Sequence, residues 1–92
     1  MIESFRHKGL KDFWEKGGRK GIQHALVPRI EKVLDALDAA TDVSQLYLPG
    51  FNLHPLKGDR KGEWSIWVSG NYRMTFRFAQ GDACDVNLED YY

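Results

Sequence analysis

The second half of this chain alternates between apolar and polar side chains, and that alternation dictates a sheet. The segments "EWSIWVS" and "YRMTFRF" change character at nearly every residue, which is the period of a β-strand with one buried face. Gly70-Asn71 between them suits a tight hairpin turn, and "GDACDVNL" follows Gln80-Gly81 as another strand. A short strand at "NLHPL", ended by Pro55, precedes them. The pattern predicts a meander of four strands.

The first half of the chain has helical periodicity instead. Leu10, Phe13 and Trp14 form an i, i+3, i+4 stripe, and Gly17-Gly18 supplies a stop. A longer helix is predicted over residues 23–40, with Pro28 either in its first turn or kinking it. The segment "TDVSQL" predicts one further helical turn, capped by Asp42. The stripe of the longer helix consists of Leu26, Ile30, Val33, Leu34 and Leu37.

These elements predict one α+β domain over residues 1–92. "MIESF" at the start alternates weakly and predicts a short N-terminal strand. Two helices are then expected to pack on one face of a mainly antiparallel sheet of four or five strands. Ninety-two residues are enough for one packed core and too few for two.

The alternation also assigns the two faces of the sheet. The core face is predicted to hold Trp64, Ile66, Val68, Tyr72, Met74, Phe76, Phe78, Cys84, Val86 and Leu88. The other face would present Ser65, Trp67, Arg73, Thr75, Arg77, Asp85 and Asn87. A polar face with two arginines and a tryptophan offers cations for phosphates and a ring for a base. An ordinary solvated sheet face has the same composition, so both interpretations remain open.

Charge is distributed unevenly along the chain. The formal net charge is zero, which argues against indiscriminate coating of nucleic acid. Residues 54–78 nevertheless carry five Lys or Arg against two acids, whereas residues 79–92 carry four acids and no Lys or Arg. This distribution fits a cleft that holds both signs of charge. The same distribution is equally compatible with neighbouring strands that pair opposite charges.

Cysteine and histidine usage bears on location and metals. The single cysteine, Cys84, has no partner for an internal disulfide, which suits a reducing cytosol. No apolar run approaches the roughly 20 residues of a membrane span, and the N-terminus lacks the hydrophobic segment of a signal peptide. A cytoplasmic location is therefore expected. His7, His24 and His54 show no metal-ligand spacing, so we expect neither a metal nor a cofactor.

The motifs "HPLKG", "WSIWV" and "NYRMTF", in that order, resemble the HigB-type toxins, the plasmid maintenance killer branch of the RelE/ParE superfamily. The resemblance runs from "SFRHKGLKDFWEKG" to the C-terminal "EDY" and thus covers essentially the whole chain. It implies a RelE-like fold and an endoribonuclease that cleaves messenger RNA in the ribosomal A site, beside 16S rRNA. It also implies a small helix-turn-helix antitoxin of the HigA type as partner. Operator DNA would be contacted only through that antitoxin, and no membrane is involved.

The resemblance implies a metal-free reaction in which a ribose 2′-hydroxyl attacks the adjacent phosphate. His54, Asp90 and Tyr91 fall at active-site positions of the family motif, with Arg73 and Lys57 as cationic neighbours. His54 would be general base or acid, because imidazole exchanges a proton near neutral pH. Asp90 would accept the 2′-hydroxyl proton or orient a histidine, and the two cations would stabilise developing charge. Backbone contacts would come from Arg60, Lys61 and Arg77, and base stacking from Trp67 or Tyr91.

The chain departs from the family motif at its last residue. The motif typically ends Asp-Tyr-His, whereas this chain ends Asp90-Tyr91-Tyr92. As a donor of a proton or a hydrogen bond Tyr92 needs no activation, so we predict an activity that is retained but weakened. Two alternatives stay open: a ParE-like inhibitor of DNA gyrase, and a catalytically impaired relative that only binds its antitoxin. Without the resemblance, each cationic or acidic residue also has an ordinary surface role.

Overall fold

The computed structural model describes residues 1–90, and their arrangement confirms the predicted α+β fold. Helix α1 spans Lys8–Lys16 and helix α2 spans Val27–Ala39. The strands are β1 (His54–Pro55), β2 (Glu63–Ser69), β3 (Tyr72–Ala79) and β4 (Asp82–Asp90). They form one antiparallel sheet in the order β1-β2-β3-β4, which is the predicted meander.

Both helices have local reasons for their ends. Nδ1 of His7 accepts a hydrogen bond from the backbone N–H of Leu10 at 3.0 Å, which caps α1. Gly17 ends α1 in the left-handed conformation, with φ of 75°. The predicted helix over 23–40 begins as a 3₁₀ turn at His24–Leu26, and Pro28 then lies in the first turn of α2. Pro28 therefore starts this helix and does not kink it.

The predicted turn after α2 is a 3₁₀ helix at Val43–Leu46. Asp42 occupies its N-cap position, but the Asp42 carboxylate accepts a hydrogen bond from the hydroxyl of Ser44 and caps no backbone N–H. Another 3₁₀ turn, Gly58–Arg60, lies between β1 and β2.

One face of the sheet is buried under the helices. The helices contribute fully buried side chains such as Leu10, Ile30 and Leu34. Ile66, Met74, Phe76 and Val86 are the fully buried partners on the three long strands. Their burial removes apolar surface from water and is the main source of stability for the sheet. The opposite face carries mainly polar side chains, with Trp67 among them.

The N-terminal segment is less regular than predicted. Residues 1–5 lie along β4 in parallel orientation but make only two isolated bridges, Ile2 to Ala83 and Phe5 to Val86. The predicted short strand is therefore reduced to these bridges, and the sheet has four strands in the described part of the chain.

A bulge in β4 changes the predicted face of Cys84. The register shifts between Thr75 and Arg77, and Asp85 takes a positive φ of 53°. Beyond the bulge, Cys84 pairs with Arg77, and the fully buried Ala83 pairs with Phe78. One inserted residue reverses which side chains face the core. The prediction that Cys84 is a core residue is wrong, because Ala83 takes that position.

Candidate active site

Strand pairing arranges the polar face in rows that cross the sheet. His54 pairs with Ser65, Ser65 with Thr75, and Thr75 with Asn87. In the neighbouring row, Trp67 pairs with Arg73 and Arg73 with Glu89. Directly paired residues on antiparallel strands share a face, so the two rows lie side by side.

His54, Trp67 and Arg73 line one pocket of about 220 Å³, together with Asn52 and Ser65. The imidazole of His54 is exposed there, and Ser65 is almost fully buried in the floor. Three of the side chains that the sequence singled out are thus brought together from three strands. In such a pocket an imidazole can transfer a proton to or from a reacting oxygen of a bound substrate, and a guanidinium can neutralise the charge of a phosphodiester.

Glu89 joins this site although the sequence alone assigned it no role. One of its carboxylate oxygens lies 3.2 and 3.4 Å from two guanidinium nitrogens of Arg73 and 2.8 Å from one of Arg60. The other accepts a hydrogen bond from Thr75 at 3.1 Å. These bonds, above all those from Arg60, lower the pKa of Glu89 to about 2. The signal was present in the sequence, since alternation after Val86 places residues 87 and 89 on the arginine face.

Arg60 and Arg77 lie in an ion-pair network beside the pocket. Two guanidinium nitrogens of Arg60 lie 2.9 and 3.2 Å from the carboxylate of Glu63, and Arg60 also binds Glu89. Glu63 is 5% exposed and lies 3.8 Å from Arg77. The hydrogen bond from Arg60 is the main reason that the pKa of Glu63 is lowered, and the same contacts raise the pKa of Arg60. These two arginines, predicted as RNA contacts, are therefore already paired with carboxylates.

Lys57 and Lys61 lie at a different pocket. Both are exposed and line a pocket of about 300 Å³ with Leu56 and Trp64. Lys57 is not among the residues that line the His54 pocket. Its predicted contact with the scissile phosphate stays a prediction.

The predicted catalytic tail is only partly described. Asp90 is exposed, pairs with Tyr72 and accepts a hydrogen bond from the side-chain amide of Asn71. Strand alternation places it on the opposite face from Glu89. Tyr91 and Tyr92 lie outside the described residues.

Arg29 on α2 holds the tryptophan of the pocket in place, and nothing in the local sequence pattern indicated this. Its guanidinium carbon lies 5.1 Å from the ring centre of Phe51 and 5.5 Å from that of Trp67. It also donates hydrogen bonds to the carbonyl oxygens of Gly50 and Trp67. The indole N–H of Trp67 donates to the carbonyl of Gly70 at 3.2 Å. The Trp67 ring is therefore fixed while 39% of the residue remains exposed.

Two further properties of residues 1–90 bear on the predictions. No cluster of three or more His, Cys, Asp or Glu side chains among them is arranged to hold a metal ion. None of the helices in this part of the chain is both long enough and apolar enough to cross a membrane.

Comparison with known proteins gives a consistent result. A family model described as "RelE-like toxin of type II toxin-antitoxin system HigB" matches residues 3–92. The chain is 51% identical over 92 residues to "Endoribonuclease HigB" of Proteus vulgaris, and the match covers all of both chains. It is 33% identical over 94 residues to "Toxin HigB-1" of Vibrio cholerae serotype O1, covering 97% of this chain and 96% of that one.

Proposed function

This chain belongs to the HigB-like toxins, RelE-like proteins of type II toxin-antitoxin systems, and on that premise we propose that it is a ribosome-dependent endoribonuclease. It cleaves messenger RNA in the ribosomal A site. The observation that supports this most strongly is the pocket shared by His54 and Arg73. The similarity over the full length to a protein named an endoribonuclease supports it independently.

The reaction is an intramolecular transesterification at the phosphodiester. The 2′-oxygen of one ribose attacks the adjacent phosphorus, and the bond from phosphorus to the 5′-oxygen of the next nucleotide breaks. A base removes the proton of the 2′-hydroxyl, and an acid protonates the departing 5′-oxygen. The products carry a 2′,3′-cyclic phosphate and a 5′-hydroxyl. Because the substrate supplies its own nucleophile, the protein has only to align it, move protons and stabilise charge.

The pocket residues divide these tasks by their chemistry. His54 is exposed to a bound strand and transfers one of the two protons. Arg73 stabilises the extra negative charge on the phosphoryl oxygens, because a guanidinium donates charge-assisted hydrogen bonds. Trp67, held by Arg29, offers its exposed ring to a base.

The C-terminal residues complete the proposed site. Tyr91 acts beside His54, and Tyr92 replaces the histidine of the family motif as a donor of a hydrogen bond or proton. Asp90, which strand alternation places on the face opposite Glu89, would join them from the end of β4. Lys57 and Lys61 attract the strand from the neighbouring pocket, since both are exposed cations. Arg60 and Arg77 contribute mainly by holding the ion-pair network beside the pocket, because both already face carboxylates.

The cellular setting follows from the family. A type II toxin acts against a cognate antitoxin, which we take to be a HigA-type helix-turn-helix protein that also binds the operator DNA. The toxin then acts on cytoplasmic ribosomes, next to 16S rRNA. A gyrase-inhibiting toxin would need no imidazole in its site, so the His54 pocket favours the nuclease.

Purified ribosomes carrying a defined messenger RNA test this proposal. The wild-type protein should produce fragments that end in a 2′,3′-cyclic phosphate, and Arg73→Ala should lower the cleavage rate by about 100-fold or more. Lys20→Ala is the matched control, because Lys20 is an exposed cation that does not line the pocket. Intact messenger RNA with the wild-type protein, or full activity in Arg73→Ala, would contradict the proposal.

A further inference from the structure

A second groove opens beside the His54 pocket and shares two residues with it. This groove, of about 550 Å³, runs along the loop over residues 47–53. Asn52 and His54 line both cavities, so the two adjoin at these residues. A strand with its scissile phosphate at His54 can therefore place a neighbouring nucleotide in the groove.

The groove has the chemistry of a base-binding surface. Among residues 1–90, its lining contains no Asp, Glu, Lys or Arg, so it is poorly suited to a phosphate. Four large hydrophobic residues are exposed in this part of the chain, and Tyr47, Leu48 and Trp67 border the two cavities. Tyr47 is 63% exposed, which leaves its ring available for stacking. Asn52 carries a side-chain amide that can donate to and accept from the edge of a base.

The loop that carries these side chains is anchored on both sides. Phe51 is fully buried, and its carbonyl accepts a hydrogen bond from the backbone N–H of Trp67 at 2.8 Å. Arg29 binds the carbonyl of Gly50 and packs over the Phe51 ring. Leu46, just before the loop, is also fully buried. The loop backbone is therefore held in place before a ligand binds, which lowers the entropy lost on binding.

We propose that this groove is a base-specificity subsite: Tyr47 stacks on the base of a nucleotide that flanks the cleaved bond, and Asn52 reads the edge of that base. The inference rests on the proposed nuclease function and adds to it a determinant of which sequences are cut. The occupant is the messenger RNA strand, because the groove adjoins the pocket where that strand is cleaved and shares Asn52 and His54 with it. Ribosomal RNA is the competing occupant, and the experiment below distinguishes it from messenger RNA.

The test compares cleavage rates and cut positions on ribosomes programmed with a randomised codon. Tyr47→Ala should lower kcat/KM by about 10-fold or more, whereas Tyr47→Phe, which keeps the ring, should stay within about twofold of wild type. Asn52→Ala should change which base is found at one position next to the cut. Unfolding midpoints of the variants serve as the folding control: Tyr47 and Asn52 are exposed, but Asn52 adopts a positive φ of 49°, which alanine disfavours.

Three results would overturn the inference. The first is that Tyr47→Ala and Asn52→Ala cut the same positions at the wild-type rate. The second is that the variants lose the same fraction of the cleavage rate at every sequence and also bind ribosomes more weakly, which would assign the groove to ribosomal RNA. The third is a wild-type protein that cuts no messenger RNA, which would remove the proposed function as well.

Discussion

Glu89 on β4 lies directly opposite Arg73 on β3, and one carboxylate oxygen of Glu89 lies 3.2 Å from a guanidinium nitrogen of Arg73. The same carboxylate binds Arg60, which also binds Glu63. Arg73 therefore belongs to a connected network and reaches the pocket as part of it. Such a network holds its side chains in fixed positions. A residue that is to bind a phosphate needs this kind of positioning.

Replacing Glu89 should reveal how much this network stabilises the fold. Glu89→Ala leaves two arginines without a shared acceptor, and we expect it to lower the free energy of unfolding at pH 7 by about 2–3 kcal/mol. Urea unfolding measures this loss, and Glu15→Gln, on the exposed side of α1, is the control and should change it by less than about 0.5 kcal/mol. A Glu89→Ala protein as stable as the wild type would show that the network contributes nothing.

The contribution of Glu89 should also depend on pH. Its pKa is lowered from 4.5 to about 2 in the folded protein, so the unfolded chain takes up the proton first as pH falls. The stabilisation is present above pH 4.5 and disappears as pH falls toward 2. The difference in stability between wild type and Glu89→Gln should therefore shrink across that window. A difference that stays constant from about pH 5 to about pH 2 would contradict this linkage.

The cap at His7 predicts a second pH effect, near neutrality. Burial lowers the pKa of His7 below 6.5, and protonation of Nδ1 would break its bond to the N–H of Leu10. The unfolded chain thus binds this proton more tightly, so stability is present above pH 6.5 and falls as pH decreases. His7→Asn keeps a cap acceptor that does not titrate and should be less sensitive to acid. His7→Ala should lower the free energy of unfolding by about 1 kcal/mol even at about pH 8, because it removes the cap acceptor.

Gly9 is a site where one methyl group should destabilise the fold. A Cβ at Gly9 would lie 2.8 Å from the carbonyl oxygen of Gly21, a backbone atom that cannot easily move. Gly9→Ala should lower the free energy of unfolding by about 1–3 kcal/mol. Gly18→Ala is the matched control, because the nearest atom to its Cβ would be 3.8 Å away. Equal thermal unfolding midpoints for the two variants would show that the first turn of α1 is not tightly packed there.

The sequence predicted the parts of this fold that depend on periodicity. Alternation gave β2 and β3 and brought Trp67 and Arg73 to one face, because a two-residue period can be read directly. Alternation failed at Cys84, because the β-bulge depends on a positive φ at Asp85, and the alternation of apolar and polar residues does not indicate such a conformation. Arg29 was missed for a different reason: its contacts with Phe51 and Trp67 join α2 to distant parts of the chain and leave no local pattern.

The C-terminal tyrosine gives a prediction about the degree of activity. If Tyr92 serves as a donor in place of the histidine of the family motif, Tyr92→His should raise the cleavage rate. Tyr92→Phe, which removes only the hydroxyl group, should lower it by about 10-fold. Single-turnover cleavage on programmed ribosomes measures both. No gain in the first variant and no loss in the second would exclude a chemical role for Tyr92.

The most direct measurement maps the 5′ ends of cellular transcripts after brief expression of the protein. Wild type should produce new 5′ ends within translated codons, and His54→Ala should abolish them. His24→Ala, at an exposed histidine outside the pocket lining, should leave them unchanged. The same set of new ends in wild type and His54→Ala, or none in either, would contradict cleavage by the His54 pocket.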